Sequence, residues 1–94
     1  MVCKRVLLYG KVQGVSFRFY THEKATRLGL KGWVRNNEDG SVEMLLCGEP
    51  ENVENLITWA HSGPPQSQVE TVEVSEVKDH FPKESFYIRR GEGV

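Results

Sequence analysis

Arg18 closes a stretch, Gly10-Lys11-Val12-Gln13-Gly14-Val15-Ser16-Phe17-Arg18, that follows the apolar run Val6-Leu7-Leu8-Tyr9 and leads into residues with helical spacing. Strand, glycine-containing loop and helix start, in that order, can aim several unpaired backbone N–H groups at one spot, where the positive end of the helix dipole adds to them. Such a spot attracts an anion. A cation in the first helical turn opposes the same dipole and costs roughly 0.3–1 kcal/mol unless something negative lies near. Arg18 therefore makes physical sense if a phosphate or carboxylate is shared between its guanidinium and the loop amides. Gly14 allows a sharp bend, or a close approach of backbone to ligand, without a Cβ in the way. The bland alternative is an ordinary strand-to-helix turn whose arginine reaches into water, and the loop alone does not choose between the two.

Other reactive side chains offer less. His22, His61 and His80 are scattered along the chain, which favours solvated surface histidines over a metal site. Cys3 and Cys47 are too few for a disulfide scaffold and too far apart for a zinc knuckle. Lys11 and Lys31 are read as surface lysines with at most a steering role, Asp39 as a turn residue, and Trp33 and Trp59 as packing residues.

The 94 residues suit one domain, 1–94, with a glycine-rich tail at 91–94 and a break at Gly63-Pro64-Pro65. Twelve basic against thirteen acidic residues give a formal net charge of −1, so no whole-protein field attracts nucleic acid or an anionic membrane. Any anion site must be local. No apolar run has membrane-spanning length and Met1 to Arg5 lack a signal-peptide core, so a cytoplasmic monomer without nucleic-acid or membrane partners is expected.

Alternation from Cys3 to Tyr9 reads as a strand, with Lys4, Val6 and Leu8 on one face and Cys3, Arg5 and Leu7 on the other. Phe17, Tyr20 or Thr21, Ala25 and Leu28 then recur at helical spacing, Ser16 being a plausible N-cap and Gly29 a left-handed stop. Leu30 to Asn36 reads as the second strand, and Asn37-Glu38-Asp39-Gly40 turns the chain into the third, Ser41 to Cys47. Pro50 opens a second helix with the stripe Val53, Leu56, Ile57, Ala60. Val69 to Val77 forms a fourth strand with a slip at Glu70-Thr71 that suggests a bulge, and Phe86 to Arg89 a short edge strand. The order β-α-β-β-α-β predicts an α+β, ferredoxin-like split βαβ sandwich: an antiparallel sheet in the order 4-1-3-2 with two helices on one face.

That topology brings Asn36 to the edge of the sheet that carries the Gly10–Arg18 loop, about 10 Å away across one intervening strand. It also makes the first and third strands antiparallel neighbours, so Cys3 approaches Cys47; if the two pair directly, Val6 meets Met44 and Leu8 meets Val42. Cα separations in such a pair suit a disulfide, whereas a reducing cytosol would keep two thiols; the sequence leaves both open. Arg5, Leu7, Glu43 and Leu45 are expected to point outward on the uncovered face.

The loop, together with Gly32-Trp33-Val34-Arg35-Asn36, Asp39-Gly40, the Gly63-Pro64 break and Phe86-Tyr87-Ile88-Arg89, closely resembles the acylphosphatase family over nearly the whole chain. The resemblance implies hydrolysis of small acyl phosphates such as acetyl phosphate, carbamoyl phosphate or 1,3-bisphosphoglycerate, with no metal and no cofactor. It places Arg18 as the phosphate-binding arginine, Asn36 as the residue that positions the attacking water, and Gly14, Val15, Ser16 and Phe17 as the amide cradle. Family members often carry glycine or cysteine at the position of Ser16 and an aromatic at that of Arg90. The rival reading is a non-catalytic phosphate- or RNA-binding ferredoxin-like module; RNA would need stacking aromatics on a basic sheet face.

Overall fold

A computed structural model describes residues 1–78 and 81–90, so His80 and the 91–94 tail lie outside the described residues. The chain runs β1 (Val2–Lys11), α1 (Phe17–Arg27), β2 (Lys31–Asn36), β3 (Val42–Gly48), α2 (Pro50–Ser62), β4 (Gln68–Glu76) and β5 (Tyr87–Ile88). The sheet order is β4-β1-β3-β2-β5, the expected 4-1-3-2 arrangement with the short strand added beyond β2. β5 runs parallel to β2, with Trp33 opposite Tyr87 and Val34 opposite Ile88. All other pairings are antiparallel.

The register between β1 and β3 pairs Cys3 with Cys47, Val6 with Met44 and Leu8 with Val42, as the alternation predicts. Val6, Leu8, Val34, Val42, Met44 and Leu46 share one face and pack with Phe17, Ala25, Val53, Leu56, Ile57 and Ala60 of the helices. Two predicted features are refined here. Thr21, fully buried, takes the place on the inner stripe of α1, while Tyr20 is 42% exposed. The bulge falls at Glu70, where Tyr9 pairs with Thr71 and Gly10 with Val69. Gly10 is needed there, because at its φ of 120° a Cβ would come within 2.3 Å of the Gln68 carbonyl oxygen.

On the other face, Glu43 and Leu45 point away from the helices as alternation predicts, yet both are only 4% exposed, because neighbouring side chains close over them. Leu45 is covered by the Cys3–Cys47 pair, Trp33 and Val77. Sulfurs of Cys3 and Cys47 stand at bonding distance, 2.04 Å. Glu43 is roofed by two arginines, accepting a bond from Arg5 Nε and two from Arg35, at 3.1 Å from Nε and 3.0 Å from Nη2. Burial raises the affinity of that carboxyl for a proton, but the guanidinium bonds outweigh it and hold Glu43 below the usual carboxylate range. Arg5 and Arg35 are thereby engaged with Glu43. No described helix is long and apolar enough to cross a membrane.

Candidate active site

Where β1 ends, the chain must turn within a few residues to start α1, and two left-handed residues make the turn. Gly14 has φ 74° and Ser16 φ 62°. A Cβ at Gly14 would meet nothing within 4 Å, so this position needs glycine for its backbone angle and not for space. Ser16 precedes the helix as expected, yet its side chain makes no capping bond. Its left-handed backbone departs from the extended angles from which a serine hydroxyl reaches back to the first turn. A non-glycine residue in this region stores strain of about 1–3 kcal/mol.

Tyr20 N donates to Ser16 O at 3.1 Å. The N–H groups ahead of Tyr20 have no helical acceptor by the geometry of an α-helix start, and no acidic side chain lies in the first turn to balance them. Arg18 is half-buried beside them, and its Nη1 is buried with no hydrogen-bond partner among the described residues. A buried guanidinium nitrogen without an acceptor costs about 1–3 kcal/mol. Strained loop, unbonded amides and unsatisfied arginine converge on a single deficit of negative charge.

These groups face a cavity of about 450 Å³ lined by Val12, Gly14, Ser16, Phe17, Arg18, Phe19, Asn36, Ile88 and Arg90. Arg18 and Asn36 thus meet across one opening, as the topology predicts. Of the four cradle residues, Gly14, Ser16 and Phe17 line it, whereas Val15 turns its side chain away and is 6% exposed. Phe17 is held by Trp59, with ring centroids 5.5 Å apart, which fixes the start of α1.

Asn36 is positioned by the last residue pair of the β2–β3 ladder, opposite Val42. The turn beyond it is tied internally: Asp39 Oδ1 accepts from Ser41 N at 2.9 Å and from Ser41 Oγ at 2.6 Å, and Asn37 Nδ2 donates to Ser41 Oγ at 3.0 Å. The Ser41 bonds lower the Asp39 pKa. One residue of the loop reaches over to this turn. Gln13 Nε2 donates to Asn37 O at 2.8 Å and to Ser41 O at 2.9 Å, so the loop and the hairpin that carry the two halves of the site are bolted together.

Gln13, Phe19, Ile88 and Arg90 had no site role in the sequence reading. Their roles follow from pairing register and from contacts between distant segments, for which the sequence carries no local signal. Among the described residues, Lys11, Lys31, His22 and His61 do not line the cavity. Lys31 Nζ donates to Lys83 O at 3.0 Å, tying β2 to the segment before β5. Nδ1 of the exposed His61 lies 2.9 Å from Ile57 O, and the half-buried His22 sits against the Phe86 ring with centroids 6.2 Å apart. Among the described residues no three His, Cys, Asp or Glu side chains gather as a metal group would require.

Comparison with known proteins gives consistent findings. The family model described as Acylphosphatase matches residues 4–88. A relative from Azoarcus, named Acylphosphatase, is 49% identical over 76 residues, covering 81% of this chain and 78% of its own. One of the same name from Thermococcus kodakarensis is 55% identical over 67 residues, covering 71% of this chain and 74% of its own. The crystal structure of acylphosphatase from Bacillus subtilis superposes with a TM-score of 0.90 at 32% identity, covering 95% of this chain and 99% of the other.

Proposed function

The chain belongs to the acylphosphatase family and is an enzyme of that kind, and we propose that it cleaves the carboxyl–phosphate bond of small acyl phosphates with Arg18 and Asn36 as its working side chains. The observation that carries the assignment of residues is the buried, unpartnered Nη1 of Arg18 in a cavity whose far wall is Asn36.

An acyl phosphate leaves behind a carboxylate, already stable at neutral pH, so rupture of the phosphorus–oxygen bond asks for no strong general acid. The reaction asks instead for charge compensation on the equatorial oxygens and for a nucleophile in line with the leaving group. Arg18 supplies a guanidinium fork, and the N–H groups of Gly14, Val15, Ser16 and Phe17 supply further donors. Asn36 accepts from a water through its carboxamide oxygen while its NH2 donates to the phosphoryl group, which aims the water at phosphorus. Charge compensation from these groups makes a metal unnecessary. The strain at Ser16 and the uncompensated Arg18 are offset when the dianion arrives, which is how a preformed electrostatic site stabilises the charge of the transition state.

We read the chain as a monomer acting on a small molecule. We read 1–94 as one domain working in the cytoplasm. The test is hydrolysis of acetyl phosphate beside an alkyl phosphate monoester such as glycerol phosphate. Rapid cleavage of the first and negligible cleavage of the second is the expected result, because a monoester must expel an alkoxide and none of the described lining residues is an acid that could protonate it. Tight phosphate binding with no turnover of acetyl phosphate would make the chain a phosphate-binding module instead.

A further inference from the structure

The cavity holds a second guanidinium that the transferred phosphoryl group does not need. Arg90 follows β5, whose Ile88 pairs with Val34 of β2 in parallel. Arg89 N continues that contact by donating to Val34 O at 2.8 Å. Two residues beyond each member of the Val34–Ile88 pair stand Asn36 and Arg90, so the two are level across the strands. Because side chains alternate along extended backbone, Arg90 shares the face of Ile88, which packs on the helix-side core. Arg89 belongs to the opposite face, with its guanidinium 4.9 Å from the Trp33 ring centroid. The strand therefore delivers Arg90, and not its neighbour, to the cavity wall beside Asn36.

Two features say what Arg90 would meet. The cavity of about 450 Å³ is much larger than a phosphoryl group, which displaces only a few times the roughly 30 Å³ share of one water, so the remainder is room for the acyl group. Among the described residues, the lining includes two arginines and no carboxylate. Among the described residues no ion pair or hydrogen bond engages Arg90, whereas Arg5 and Arg35 are both bound to Glu43. Phe19 and Ile88 give the rest of that wall an apolar surface against which the body of an acyl group can lie.

We propose that Arg90 is a specificity residue that reads a second negative charge on the acyl group, so that the site favours acyl phosphates bearing a further anionic substituent over neutral ones. The inference rests on the reading of Arg18 and Asn36 given above. Arg18 and the loop amides hold the phosphoryl end, and Arg90 pairs with the remote anion. Since Arg90 is exposed, the pair is partly screened, and a preference of about fivefold is in scale with a solvent-exposed ion pair at its stronger end.

The test compares kcat/KM for benzoyl phosphate and 4-carboxybenzoyl phosphate, rigid acyl phosphates that differ by one remote carboxylate, in the wild type and in Arg90→Gln and Arg90→Glu. The wild type is expected to prefer the carboxylated substrate about fivefold at low salt. That ratio should fall to about one in Arg90→Gln, invert in Arg90→Glu, and shrink in the wild type as salt is added. An unchanged ratio in Arg90→Gln overturns the proposal, whether both rates hold or both fall together; in the latter case Arg90 serves the phosphoryl group. Should the wild type cleave neither substrate, the reading of the whole site falls and this inference with it. Cleavage of both without a charge preference removes the inference alone.

Discussion

Replacing Arg18 with glutamine separates a functional group from a structural one, because the two roles predict stability changes of opposite sign. Arg18 donates nothing from its buried Nη1 to the described protein, and it sits in the first turn of α1, where no acidic side chain offsets the dipole. The unmet donor costs about 1–3 kcal/mol and the opposed dipole about 0.3–1 kcal/mol. Part of this is recovered through packing of the arginine stem, which glutamine shortens. Arg18→Gln should therefore be more stable than the wild type in phosphate-free buffer, by about 1 kcal/mol, or roughly 4–8 °C in Tm for a domain of this size. In turnover the sign reverses. Losing one donor aimed at developing charge costs about 100- to 1,000-fold in kcat, and a guanidinium offers two, so a fall of at least roughly 100-fold in benzoyl phosphate hydrolysis is expected. Inorganic phosphate links the two measurements. At a concentration 100 times its Kd it should stabilise the wild type by about 2.7 kcal/mol, and at the same concentration the variant should gain far less. Thermal melts with and without phosphate, beside a steady-state assay, give all three values. A variant that melts lower, responds to phosphate like the wild type and turns over at a near-normal rate would refute the reasoning.

Two further changes probe neighbouring parts of the molecule. Asn36→Ala removes the proposed water-positioning carboxamide but leaves Arg18 and the amides, so kcat should fall by roughly 100-fold while phosphate affinity is kept; collapse of phosphate affinity would make Asn36 a binding residue. Glu43→Gln, on the sheet face opposite the cavity, should lower stability at pH 7 by about 2 kcal/mol through the loss of charged bonds to Arg5 and Arg35, with little effect on turnover. Glu43 is held below its ordinary pKa of 4.5, so its contribution is complete above that value and is lost as pH falls through the lower, folded-state pKa. Urea titrations should thus show the gap between wild type and variant closing in acid, and a gap that stays constant from pH 7 to pH 2 would contradict the ion-pair account.

The parts of this molecule that were legible in the sequence are those set by a local rule combined with topology. Alternation in β1 and β3 gave their faces, the split βαβ order made those strands neighbours with Cys3 near Cys47, and direct pairing of the two cysteines then sets the observed Val6–Met44 and Leu8–Val42 register. The same logic put Arg18 and Asn36 at one sheet edge, because parallel strands joined by a right-handed crossover end on the same side. What escaped was burial on the uncovered face. Alternation says only which way Glu43 and Leu45 point; that arginines and a sulfur pair close over them depends on side chains from neighbouring strands.

Gln13 and Arg90 escaped for a related reason, and they suggest how the site holds its shape. Gln13 bonds to carbonyls 24 and 28 residues away, and Arg90 reaches the cavity through a strand pairing of only two residues. Neither contact has a periodicity or a motif of its own. Yet both join segments that the main ladder leaves independent: the loop after β1 to the β2–β3 turn, and the chain after β5 to the end of β2. A strained loop with two left-handed residues would relax if its far side were free. On the reading proposed above, Gln13, by clamping that far side, keeps the amides and Arg18 aimed at the phosphoryl group. On that same reading the electrostatic deficit is maintained by hydrogen bonds remote from it, and the proposed cradle is preformed instead of being assembled by its substrate.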